Sequence, residues 1–121
     1  MEIKLKRTYD AEEPGDGFRV LVDKLWPRGL SHENFHYDLW EKQLAPSDEL
    51  RKWFHADPAH RESEFNAGYE KELKQNPALK PFVKEISSYP VVTFLYSSRD
   101  KSDNNAIVLR KVVTEMLAAG Q

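Results

Sequence analysis

Three arginines stand where apolar runs of this sequence end, and a charged residue at such a place is a candidate for chemistry. Arg7 closes the run at residues 2–7, Arg28 follows a second run in the block Trp26-Pro27-Arg28-Gly29, and Arg99 follows a third. Arginine presents a planar fork of donors that suits carboxylate or phosphate, and its charge does not titrate away. Arg7, Arg28 and Arg99 therefore point to a compact anionic ligand, with Tyr9 beside Arg7 and Trp26 as a pocket wall. The alternative is that these arginines pair with Asp10, Asp23 and Asp100 and hold loops in place. Arg19 opens the second run instead of closing it, so it belongs to a different cluster.

Two carboxylates, Asp23 and Asp10, are the candidates for general acid or base. Asp23 directly follows the apolar run Val20-Leu21-Val22, where burial beside an arginine can tune a carboxyl. The segment from Ser97 to Asn105 is the third candidate. Ser97, Ser98, Asn104 and Asn105 supply neutral donors at the start of a helix, a place that attracts anions. Asp103 at the expected cap argues partly against this, since its carboxylate competes for the same donors. The glycines of a dinucleotide fingerprint or a P-loop are missing, and no motif implies a cofactor. His32 and His36 could share a helix face, but no motif sets a third ligand, so no metal site is expected.

Composition narrows the partners. The chain has 121 residues, 40% hydrophobic and 31% charged, which fits a single folded domain. A formal net charge of −2 argues against a dedicated nucleic-acid binder. Without cysteine there is no thiol nucleophile, disulfide or Cys-ligated zinc. No apolar run reaches the roughly 18–20 residues that span a bilayer, so the expectation is a soluble, cytoplasmic protein without membrane contact.

The elements that must position these residues are read from periodicity. Residues 2–7 alternate as a half-buried strand, 18–22 read as a central strand, and 91–96 as a third. Ser31 is expected to open a helix, with residues 35–44 a short amphipathic helix or irregular packing. Ser47 caps a short helix that buries Leu50, Trp53 and Phe54. Asp57-Pro58 opens a helix over 58–74, residues 79 to about 88 form another, and the last runs from about Asn104 to Ala119. Strands separated by helices predict an α/β domain: a small, mostly parallel sheet of three to four strands flanked by helices on both faces. In such a sheet the carboxyl ends share one edge, which would gather Arg7, Arg28 and Arg99.

The motifs also resemble a known family. Arg7-Thr8-Tyr9-Asp10 and the block from Asp16 through Trp26-Pro27-Arg28-Gly29 are similar to the YeaO-like proteins, domain-of-unknown-function family 488. Leu50-Arg51-Lys52-Trp53-Phe54, Phe65-Asn66-Ala67-Gly68-Tyr69, Val92-Thr93-Phe94-Leu95-Tyr96 and Asn105-Ala106 follow in the same order. The resemblance implies a small bacterial-type α/β protein with no established activity. Lys24 stands where that family more often has arginine, and Asp103 where many members have histidine. Three functional readings stand beside the resemblance: a small enzyme or enzyme-like protein binding a compact anionic metabolite, a non-catalytic binding or regulatory module using the same pocket, and, disfavoured by the net charge, a nucleic-acid-associated protein.

Overall fold

Each of the three strands expected from the sequence forms, and a fourth joins them. The computed structural model describes residues 1–120. Strands β1 (Glu2–Arg7), β2 (Phe18–Leu21), β3 (Leu39–Trp40) and β4 (Val91–Tyr96) make one sheet in the order β1-β4-β2-β3, every neighbouring pair parallel. Helices α1 (Asp48–Ala56), α2 (Pro58–Gln75), α3 (Leu79–Ile86) and α4 (Asn105–Ala119) complete an α/β fold. No helix among the described residues is long and apolar enough to cross a membrane.

The helices lie differently from the sequence-based expectation. They pack on one face of the sheet, not on both. Val20, Val92, Phe94 and Tyr96 point into a core with Tyr69 and Leu73 of α2, Phe82 and Ile86 of α3, and Leu109 and Val113 of α4. Alternate strand residues face the other way. There Leu21 and Leu95 meet Phe35, with Trp26, Leu30, Tyr37 and Trp40 packed around them, and no helix contributes. The connections on that side carry Pro14-Gly15 and Pro27-Arg28-Gly29, which favour turns, so aromatic side chains replace a helix as cover.

Three local expectations change as well. Ser31 opens no helix; it closes a turn in which the Asn34 N–H donates to Ser31 Oγ at 3.2 Å and to its carbonyl at 3.1 Å. Residues 35–44 contain the short strand β3 and then a 3-10 turn over Lys42–Leu44. A two-residue strand is too short to show its period. Asp57 does not cap α2 with its side chain, which instead engages His60 Nδ1 at 2.9 Å. Ser47 caps α1 as expected: its hydroxyl accepts from the Leu50 N–H and donates to Glu72 at 2.6 Å. Arg19 is buried at the far end of β2, paired with Asp16, to which Lys6 adds a second ion pair at 2.8 Å.

Candidate functional site

Parallel pairing puts the carboxyl ends of β1, β2 and β4 on one edge, and the loops leaving them border a cavity of about 610 Å³. Residues of α1 and the first half of α2 form its opposite wall. Leu50, Trp53 and Phe54 of α1 are half-buried, not fully buried as the helical pattern suggests.

Asp23 ties the strand ends together. Its Oδ2 accepts the Ser97 N–H at 2.8 Å, and its Oδ1 accepts from Asn105 Nδ2 at 2.9 Å. The backbone carbonyl of Asp23 accepts from Trp40 Nε1 at 2.7 Å. One residue thereby joins the exits of β2 and β4, the start of α4 and strand β3. Burial raises its carboxyl above the ordinary aspartate value, and the bonds from Asn105 and Ser97 offset this only in part.

Tyr9, Trp26, Arg28, Ser97, Ser98, Asn104 and Asn105 line the same cavity as Asp23. Arg7, Asp10 and Arg99 stand outside its lining. The Arg7 guanidinium holds the turn after β4, donating from Nε to the Ser98 carbonyl at 2.9 Å and from Nη2 to the Ser97 carbonyl at 3.1 Å. Asp10 accepts the Arg7 N–H at 3.0 Å and so closes its own turn. Among the described residues no ion pair joins Arg7, Arg28 or Arg99 to Asp10, Asp23 or Asp100. Tyr9 donates its hydroxyl to the Arg28 carbonyl at 2.8 Å, pinning the loop while the Arg28 side chain stays exposed. Trp26 borders the cavity but also stacks on His32 with centroids 3.8 Å apart and donates Nε1 to the Leu30 carbonyl.

The Ser97–Asn105 turn is largely self-satisfied. Asp100 Oδ1 accepts the N–H groups of Ser102 and Asp103 at 2.9 and 3.1 Å, and Ser98 Oγ accepts that of Asp100. Asn104, not Asp103, caps α4, its Oδ1 accepting the Ile107 N–H at 3.1 Å. Asp103 is thereby freed to face α2, where its Oδ1 accepts from Asn66 Nδ2 at 3.0 Å. Burial raises the Asp103 carboxyl as well.

Sequence reasoning missed the helical wall. Arg51, His55, Glu62 and Asn66 line the cavity, on two helices whose periodicity reports only their apolar faces. Arg51 pairs with Asp48 at 3.0 Å, and Lys24 reaches the same carboxylate at 2.7 Å. Arg51 and Asn66 fall within two of the family motif blocks, but nothing local assigns them to a site; they join the strand-end residues only through packing.

Comparison with known proteins agrees with the resemblance seen in the motifs. Residues 2–121 match the family described as the inactive DUF488-N3 subclade. The chain belongs to that family. Among its relatives is the uncharacterized protein YeaO of Escherichia coli, 39% identical over 109 residues, covering 90% of this chain and 94% of the relative. Uncharacterized proteins of Mycobacterium bovis and Mycobacterium tuberculosis are each 35% identical over 111 residues, covering 92% of both chains. No solved structure matches this DUF488 chain at a significant level.

Proposed function

We propose that this chain is a non-catalytic module that binds a small molecule carrying a carboxylate or phosphate. One observation carries the reading: the cavity lies at the carboxyl ends of the strands, yet Asp23 commits both carboxylate oxygens to holding its rim together. The hydroxyls at that rim are committed too. Ser97 Oγ bonds Thr8 Oγ1 at 3.1 Å, and Ser98 Oγ takes the Asp100 N–H. A nucleophile hydrogen-bonded to a base, the arrangement that covalent catalysis needs, is not assembled among the described residues of the lining. The family description, an inactive subclade, supports the same reading.

Arg28 supplies the charge. Its side chain is exposed at the rim and has no ion-pair partner among the described residues, so its fork is available to an oxyanion. The test is a thermal-shift screen against carboxylated and phosphorylated metabolites, since a ligand that binds only the native state raises the melting temperature. Hits that shift the wild type and lose that shift in Arg28→Ala support the site. Hits that shift both proteins equally reject Arg28 as the anion contact. The raised carboxyl of Asp23 favours a second reading, in which it serves as a general acid. Turnover of a hit by the wild type, abolished in Asp23→Asn, would establish that alternative.

A further inference from the structure

On the helical wall of the cavity one hydrogen-bond donor and one acceptor are left over. Arg51 Nε and Asn66 Oδ1 are buried without partners, and no other buried side-chain nitrogen or oxygen among the described residues is so placed. Buried polar groups are almost always hydrogen-bonded, so each exception asks for a partner. Both exceptions fall on residues that line the same cavity, one on α1 and one on α2. They are of opposite kind: Arg51 has a hydrogen to give, Asn66 a lone pair to fill.

Charge follows the same division. Asn66 Nδ2 holds the Asp103 carboxylate at 3.0 Å, and no cation of the described chain pairs with Asp103. Arg51 already shares Asp48 with Lys24, while Arg28 at the rim is unpaired. A purely anionic ligand would meet Asp23, Glu62, Asp100 and Asp103 on these walls. A purely cationic one would leave Arg28 unanswered and the Arg51 Nε–H unfilled. Phe54, Phe65 and Pro58 give the cavity an apolar side.

We infer that the ligand is a small zwitterion of the amino-acid class. Asn66 and Asp103 receive its protonated amine, Arg51 and Arg28 its carboxylate, and Phe54 and Phe65 its apolar body. Binding includes a rotation of the Arg51 and Asn66 side chains, whose shielded atoms then meet the ligand. This rests on the proposed reading of the cavity as an anion-accepting site and adds the amine to it.

The experiment is titration calorimetry of the full chain with three matched sets: L-amino acids with aromatic or aliphatic side chains, the corresponding amines without the carboxylate, and the corresponding acids without the amine. The amino acids are expected to bind about 10- to 100-fold more tightly than either truncated set, the loss of one charge-assisted contact. Asp103→Asn and Asn66→Leu are expected to abolish the preference over the acids, and Arg28→Ala the preference over the amines. Circular dichroism checks folding; should Asn66→Leu fail to fold, Asp103→Asn decides. Acids binding as tightly as amino acids would overturn the amine contact and leave the anion site standing. No binding from any set would overturn the amino-acid proposal, and the thermal-shift screen with phosphorylated metabolites would then decide the anion reading.

Discussion

Asp23 shows how one carboxylate can be central to a site and still structural. It accepts from Ser97 and Asn105 and so fixes the exits of β2 and β4 against α4. Asp23→Ala leaves both donors without a partner, and a loss of about 1–3 kcal/mol of stability is expected in urea denaturation. Asp23→Asn keeps an acceptor and should cost less. The pH dependence has a definite sign. Because burial raises the folded carboxyl above the value of about 3.9 for an exposed aspartate, the native state holds a proton more firmly than the unfolded chain between those two values. Stability therefore falls as pH climbs through that window and levels off above it. Asp103 and Glu41, raised by burial too, act in the same direction, so the difference between wild type and Asp23→Asn isolates Asp23. The variant should gain on the wild type from pH 4 to pH 7; a constant difference would contradict the burial argument.

Elements here depend on a few backbone positions. Gly17, just before β2, has φ of 64°, and a Cβ there would run into the Val91 carbonyl at the start of β4. Gly29, in the Trp-Pro-Arg-Gly loop, has φ of 83° but open space around its Cα. Gly29→Ala should therefore cost only the left-handed penalty, about 1–2 kcal/mol. Gly17→Ala carries that penalty plus a clash that pushes β2 from β4, and its melting temperature should fall further. Equal shifts would contradict the steric difference. The start of α4 depends on its cap: Asn104 accepts the Ile107 N–H and donates to the Asp100 carbonyl at 2.9 Å. Replacing it with alanine is expected to cost about 1 kcal/mol. The same change should loosen the Ser97–Asn105 turn, visible as faster amide exchange there.

Across the whole molecule the two faces of the sheet are stabilised by different means. The helical face is an apolar core. The opposite face combines the aromatic cluster around Trp26 with a buried ionic group, in which Asp16 meets Arg19 and Lys6. Burial works against the Asp16 charge, yet hydrogen bonds from Lys6, the Glu13 N–H and Arg19 outweigh it and hold the carboxyl below the usual range. Asp16 contributes stability above the ordinary aspartate value, and that contribution is lost as pH falls through its lowered folded value. Asp16→Ala leaves the buried Arg19 with only the half-exposed Glu12, 4.0 Å away, as an ionic partner, and a loss of about 3–5 kcal/mol is expected by denaturant titration. A loss below about 1 kcal/mol would mean that water reaches the arginine and the group is not truly buried.

Period, caps and proline breaks are local signals, and they suffice to read the α/β class, the strands at 2–7 and 91–96, the interior position of β2 and the helices after Ser47. The strand-end part of the cavity was legible for a related reason: parallel strands put Asp23, Arg28 and Ser97 on one edge wherever the helices go. Long-range packing, and no local pattern, puts all four helices on one face, makes Arg7 the clamp of a turn outside the cavity, and brings Asn66 and Arg51 to its border. Those facts depend on which helix meets which loop across the chain, and residues far apart in sequence leave no periodic trace of meeting.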